Sequence, residues 1–396
     1  MTHYDVVING GGMAGSVLAL GLSQLRNASG EELRIALIER TTPTFGQHPG
    51  FDARSIALAA HSRTLLEQLG LWSAFAPLVT PITHIQVSDQ GHVGQLPMRA
   101  KDYNVDALGY VVELSSAGEA LYRKLQQIKN ITLYLGTEIV QFEQQLAQVE
   151  IQLSDHRALS ATLLVAADGS QSIVSQQLNL ARRQFDYQQS AIIANITTAL
   201  PHQGAAFERF TSEGPVALLP MSEGRSSLVW CVGADRAQSL MTLDAAAFIK
   251  ELQHAFGYRL GKITQVGARH HYPLLLDEVV RPWHHRVVLV GNAAHLLHPI
   301  AGQGFNLGLR DVAALIKQVN QALAQQQDIG AYGSLSGYRE GRVADQHTIV
   351  TATTALTLVF SNSDPLLAVA RNMGLMALAV CPLLKNKLAW RAMGKE

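Results

Sequence analysis

The chain has 396 residues, 47% hydrophobic and 16% charged, which describes a globular protein with a large interior and excludes bulk disorder. Lysine plus arginine equals aspartate plus glutamate at 31 each, so no global field favours nucleic acid or an acidic partner. Two cysteines, Cys231 and Cys381, exclude a disulfide scaffold and fit a reducing compartment.

MTHYDVVINGGG opens without the basic and long apolar regions of a signal peptide, and no run of about twenty residues is apolar throughout, so a cytoplasmic protein is expected. YDVVING reads as a buried parallel strand, being β-branched and apolar without alternation. GGGMAGSVLALGLSQL then opens a helix with small residues, and LRIALIE forms a second strand ending at Glu39, which completes a βαβ unit. Within it, Gly10, Gly12 and Gly15 form a GxGxxG. Gly10 permits the tight turn, Gly12 lets backbone approach a pyrophosphate, and Gly15 lets helix pack on strand. Met13 and Ala14 start the helix, whose N–H groups and positive dipole end suit phosphates. Glu39 offers a carboxylate to ribose hydroxyls, so the unit is expected to bind a dinucleotide.

Further along, LLVAADGS (163–170) and RVVLVGNAAH (286–295) read as strands of the same sheet, each stopping at a small polar turn. Between them AIIANITTAL, AAFERFT, VALLPMS and SSLVWCV are strand-like, with a hairpin turn expected at 223–225. The fold class expected is α/β (α+β): a Rossmann-like nucleotide-binding domain with a parallel sheet, an inserted, mostly antiparallel sheet, and C-terminal helices. Residues 1–80, 97–174 and 286–345 are assigned to the first domain. Residues 81–96 and 175–285 are assigned to the second, and 346–396 to the helical segment. His295 and His298, and the pairs His270-His271 and His284-His285, lack a third ligand at metal spacing, so no metal site is expected. Cys231 reads as inert core, and no GxSxG or Cys–His signature supports a hydrolase.

Asp168-Gly169 after a strand, together with GNAAH…HPIAGQGFNLGLRD, resembles the single-component FAD-dependent aromatic hydroxylases. FDARSIALAA, YVVEL, AFERFTSEGPVALLPMSEGRSSLVWCV and LVGNAAHLLHPIAGQGFNLGLRDV extend the likeness over nearly the whole chain and narrow it to the ubiquinone-biosynthesis hydroxylases. The resemblance implies FAD as the dinucleotide, NAD(P)H as a transient co-substrate, and O2. It also implies ring hydroxylation of a polyprenylated phenol through a flavin C4a-hydroperoxide.

The resemblance further implies that Arg54 reaches the FAD pyrophosphate and that Asp168 and Gly169 contact the cofactor. Asn292 stands where the family's GDAAH motif has the acid that binds the ribityl chain, and Ser175 stands where the DG motif usually continues with arginine. The isoalloxazine ring is expected against 299–304, beside Pro299, Gly302, Gln303 and Gly304. The helix starting near Phe305 would face the flavin N1/O2 edge, and Asn306 would add a hydrogen bond. His295, Pro299 and Gly302 are the residues expected nearest the chemistry. Three partner readings stay open: a ubiquinone-biosynthesis complex, peripheral contact with the inner face of a membrane through LLAVARNMGLMALAVCPLL, and a homo-oligomer. Two rival functions also stay open: an FAD-dependent reductase or dehydrogenase of an isoprenoid, and a flavin-holding subunit without turnover.

Overall fold

The structure is a computed structural model and describes residues 1–43, 54–299, 302–360 and 365–394. It opens with β1 (Thr2–Asn9), α1 (Met13–Leu22) and β2 (Ile35–Glu39). Then come β3 (Ser55–Ala59), α2 (Ala60–Gln68), α3 (Trp72–Phe75), β4 (Val79–Ile82), β5 (His84–Asp89) and β6 (Gln95–Arg99). β7 (Gly109–Glu113), α4 (Leu114–Leu125), β8 (Ile131–Leu135), β9 (Ile139–Gln144), β10 (Val149–Leu153) and β11 (Ala158–Ala166) follow, ending at a short α5 (Ile173–Gln177). The middle block runs β12 (Arg182–Thr198), β13 (Ala205–Phe210), β14 (Pro215–Pro220), β15 (Arg225–Gly233), α6 (Ala234–Thr242), α7 (Ala245–Phe256), β16 (Ile263–Val266) and β17 (His270–Val279). Short strands β18 (Trp283–His284), β19 (Val287–Leu289) and β20 (His295–Leu296) lead to α8 (Gln303–Ala324), α9 (Tyr332–Phe360), α10 (Pro365–Val380) and α11 (Pro382–Ala392).

The first sheet has the order β18-β19-β11-β1-β2-β8, parallel from β19 to β8, with β10 and β9 added antiparallel beyond β11. Both faces are covered, which explains apolar runs without alternation. Val6 and Ile8 pack under Val17, Leu18, Leu309 and Val312 of α1 and α8. Val7, between them, packs the other way with Ile151, Leu164 and Leu289.

The second sheet has the order β20-β17-β12-β15-β14-β13-β5-β6, with β16 on β12, and is antiparallel except where β13 runs beside β5. The hairpin β14–β15 turns at Ser222–Gly224, where Glu223 takes a positive φ of 59°. Strand alternation gives this sheet two different faces. Ile192, Ala194, Ile196, Phe207, Leu218, Leu228 and Trp230 are buried under α6 and α7. The opposite face turns toward the first domain: Ala206 and Met221 pack with Ile82 and Val111, and Leu276 packs with Leu297 and Leu307.

α9 passes through position 346, the expected start of the C-terminal segment, without a break. α10 docks on the β5–β6 hairpin through the buried Arg371–Asp89 pair (3.6 Å) and the Asn372 side-chain oxygen, which accepts from Gly94 N–H at 2.6 Å. Among the described residues no helix is long and apolar enough to cross a membrane.

Candidate active site

Two glycines of the first turn are dictated by the protein itself. Gly10 has φ +106°, and a Cβ there would lie 2.5 Å from the Ala167 carbonyl oxygen; a Cβ on Gly15 would lie 1.9 Å from the Gly10 oxygen. Gly12 is different: a Cβ would meet no protein atom within 4 Å. No described neighbour requires glycine there, and the open space in a GxGxxG turn leaves room for a ligand to approach the backbone. Gly12 is also the N-cap of α1 and no side chain caps that turn, which leaves its N–H groups and dipole to an anion.

Glu39 and Asp168 frame this turn. The Glu39 carboxylate accepts from Gly11 N–H at 2.7 Å and from Thr41 N–H at 3.0 Å, so it pins the glycine loop, and each oxygen retains a further lone pair. Asp168 follows β11; its Oδ2 accepts from Asn9 Nδ2 at 2.8 Å and from Ile173 N–H at 3.1 Å. Its Oδ1 is buried without a hydrogen bond, and burial pushes the carboxyl above its usual range. A buried acceptor left open beside a dinucleotide turn matches a cofactor hydroxyl. Gly169 next to it takes φ +87°.

The second glycine-rich segment meets the first. A Cβ on Gly308 would lie 3.0 Å from the Gly291 Cα, and one on Gly291 would touch Ala14 at 3.4 Å, so the Gly291–Ala293 turn is clamped between α1 and α8. Asn292, at the tip of that turn, is exposed. Gly302, the N-cap of α8, takes φ +61° with Ala57 3.1 Å from its would-be Cβ, so the turn and its neighbour on β3 both favour glycine. Gly304 repeats the pattern of Gly12, since a Cβ there would also meet no described protein atom within 4 Å. Pro299 and Phe305 are partly exposed and Gln303 is buried; positions 300–301 of the expected ring seat lie outside the described residues. α8 has no side-chain cap and no acid in its first turn, so its positive end is available to a negatively polarised group.

Two expectations are corrected. Asn306 does not offer a free amide to a flavin. Its oxygen accepts from Ala59 N–H (2.8 Å) and Ser62 Oγ (2.7 Å), while its nitrogen donates to the Ala57 (2.9 Å) and Gly302 (2.7 Å) carbonyls. Those four bonds use both donors and both lone pairs, so Asn306 ties the α8 start to β3. His295 is likewise part of the scaffold. Its Nε2 meets Asp311 at 2.6 Å, and Asp311 also accepts from Arg342 Nε (2.8 Å) and Gln346 Nε2 (3.0 Å). Burial raises the Asp311 carboxyl, but His295 and Arg342 outweigh it and bring the group down to about 2. A carboxylate so held anchors His295 behind the loop instead of leaving it to react.

Two other residues take roles that the sequence reading did not assign. His298 is fully buried, edge-on to Tyr187 with ring centroids 5.0 Å apart and Nε2 3.4 Å from Gln189 Oε1. Burial pushes its imidazole down to about 4, so it is neutral near pH 7 and joins the loop to the second sheet without charge. Arg182 supplies a guanidinium at Ser175: its Nη1 donates to Ser175 Oγ at 2.7 Å, and its Nε to Asp277 at 2.7 Å. A cation from β12 thus reaches the position where the DG motif usually carries its own. Arg54 stands partly exposed at the head of β3, its carbonyl accepting from Leu114 N–H at 3.1 Å. Among the described residues no group of three His, Cys, Asp or Glu could hold a metal.

Residues 3–345 match the family described as FAD binding domain. The chain is 35% identical over 395 residues to ubiquinone hydroxylase UbiL of Rhodospirillum rubrum, covering 98% of this chain and 89% of that protein. It is 30% identical over 392 residues to 3-demethoxyubiquinol 3-hydroxylase of Escherichia coli, covering 98% of each. In fold it is similar to the crystal structure of p-nitrophenol 4-monooxygenase PnpA from Pseudomonas putida DLL-E4, with a TM-score of 0.81, 15% identity and full coverage of both chains. The two glycine turns with open Cβ space, the open Asp168 oxygen and these likenesses agree, and the chain belongs to the FAD-dependent hydroxylases of ubiquinone biosynthesis.

Proposed function

We propose that this chain hydroxylates the aromatic ring of a polyprenylated phenol of the 2-polyprenyl-6-methoxyphenol class, using NAD(P)H and O2. The observation that supports the cofactor's position is the open space above Gly12 and Gly304, two glycines of the dinucleotide and ring-seat turns that no described neighbour requires. When bound, FAD supplies the redox chemistry, taking electrons from NAD(P)H and activating oxygen.

The chain's own residues do the rest. Gly12, Met13 and Ala14 at the start of α1 bind the pyrophosphate, with Arg54 adding a guanidinium fork. Glu39, Asp168, Gly169 and Asn292 hold hydroxyls along the cofactor. Pro299, Gly302, Gln303, Gly304 and Phe305 form the seat of the flat ring, and the positive end of α8 favours negative charge on the ring edge. His298 and Tyr187 close the loop against the second sheet, whose face toward the first domain binds the phenol and its tail and keeps the site dry.

The test is turnover of a prenylated methoxyphenol under labelled O2. One labelled oxygen atom in the product ring is expected; product formed with none would point to reductase or dehydrogenase chemistry instead.

We propose further that α10 and α11 make peripheral contact with an anionic lipid surface. Met373, Met376 and Val380 form a stripe at helical spacing on α10, exposed by 65%, 51% and 81%, and Leu383 at the start of α11 is exposed by 82%. Lys387 and Arg391 flank it exposed, and the sequence from 365 to 392 carries no acidic residue. A substrate with a long apolar tail is drawn from such a surface.

A further inference from the structure

We infer that Glu208, on β13, is the base that takes the phenol proton in this reaction. The inference rests on the ring-hydroxylation reading and adds the residue that makes the ring reactive. Glu208 is in register with Val87 on β5 and with Ala217 on β14, and the row continues through Val229 on β15 and Ile193 on β12. Residues in register share a face of the sheet. Their chain neighbours Phe207, Leu218, Leu228 and Ile192 are buried under α6 and α7, so this row faces the opposite way, toward the first domain. Ala206, two positions before Glu208 on the same face, packs with Val111 of that domain and with Ile82 at the end of β4.

Every member of the row is partly exposed, which makes it an open apolar floor with a single carboxylate set into it. Glu208 makes no hydrogen bond or ion pair with any described residue. An unpartnered carboxylate on an apolar floor lowers stability, and packing supplies no reason to keep it. Burial pushes its carboxyl up to about 7, where a proton is both accepted and released readily.

Other titratable groups share this face: Arg225, four positions before Val229 on β15, pairs with Glu113 of β7 at 2.7 Å. Asp89, on β5, is paired with Arg371. Cys231, on β15, has its thiol pushed up by burial and by the Glu208 charge, so it stays neutral. His270 and Tyr272 extend the face on β17.

The step is a proton transfer. The phenol O–H bond breaks, its proton moves to a Glu208 oxygen, and the electron pair stays on the phenol oxygen. That charge makes the ring carbons ortho and para to it attack the electrophilic oxygen that the O2 and NAD(P)H chemistry delivers. As the hydroxylated carbon releases its hydrogen to solvent as a proton, Glu208 returns its own proton to the ring oxygen, which regenerates the carboxylate. A free phenol ionises near pH 10, so without a base little phenolate forms at pH 7.

The experiment compares wild type with Glu208→Gln and Glu208→Asp, following product, hydrogen peroxide and bound FAD together. Glu208→Gln is expected to keep its FAD and to oxidise NAD(P)H, with product formation falling by about 100-fold or more and peroxide rising in its place. Wild-type product formation should rise with pH through about 7 as Glu208 deprotonates. In Glu208→Gln that rise should move toward the phenol's own pH of ionisation, whereas Glu208→Asp should keep the wild-type profile at reduced rate. The Asp variant also covers the case in which Gln perturbs folding. If wild type hydroxylates while Glu208→Gln keeps full product yield and the wild-type pH profile, Glu208 is not the base. If wild type incorporates no oxygen into any prenylated phenol, the hydroxylation reading itself fails, and the inference with it.

Discussion

Gly304→Val separates the needs of the protein from the needs of its ligand. Gly304 lies in the first turn of α8 with no positive φ, so valine fits the backbone without strain. Helix propensity favours valine over glycine by up to about 0.5 kcal/mol, and no described protein atom lies within 4 Å of the new Cβ. The apo chain should therefore melt at or slightly above the wild-type temperature. A ring stacked on that backbone needs carbon contacts of about 3.5–4.0 Å, which the two new methyl groups would occupy. Taking about 1–3 kcal/mol for such overpacking, the FAD dissociation constant should rise by roughly 5- to 150-fold. The assay is the ratio of flavin to protein absorbance after purification, followed by titration of the stripped protein with FAD. Gly15→Ala is the control in the other direction: its Cβ would sit 1.9 Å from the Gly10 oxygen, so it should destabilise the fold with or without flavin. A Gly304→Val protein that retains full flavin at wild-type affinity would refute the placement of the ring.

Asn292→Asp should purify with wild-type flavin content and a melting temperature within measurement error, because the side chain is exposed; loss of flavin on spectroscopy would contradict a ribityl contact. Asp311→Asn should cost about 1–3 kcal/mol by leaving His295 without its carboxylate while Arg342 keeps Asp345, as measured by denaturant unfolding. The pH sign follows from the same group: a carboxyl held at about 2 in the fold and near 4 when unfolded stabilises the fold above pH 4. That contribution is lost as the pH falls from about 4 to about 2, and acid titration of the Asn variant should lack that component. Leu383→Ser should weaken flotation with anionic vesicles by roughly tenfold to 150-fold, since burying one leucine is worth about 1.5–3 kcal/mol; unchanged flotation would remove the proposed lipid contact.

What could be read from the sequence depended on how far apart the cooperating residues lie. The β1-α1-β2 unit was legible because its glycine spacing and strand ends are local. Gly302 and Gly304 were legible for the same reason. The partners of Asn306 were not: its bonds to Ala57, Ala59 and Ser62 span nearly 250 residues, so its amide looked available when it was already occupied. His295 looked like a reactive ring beside the loop because Asp311 and Arg342 face it only after α8 and α9 fold together. Glu208 was one charge in AFERFT until the register of five strands showed which face it occupies. The segment 346–396 was recognised as helical, but no breaker marks 346, and α9 runs through it.

The Asn306 clamp has a consequence for how the protein matures. On the ribosome, β1, α1 and β2 emerge well before α8 and can shape the phosphate-binding loop early. β3 can pair with β7 once residue 113 has been made, but its tie to the start of α8 waits until the chain has been made past residue 306. Holoprotein assembly is therefore a late event in synthesis, and a prematurely terminated chain ending before α8 would present only half of a cofactor cleft.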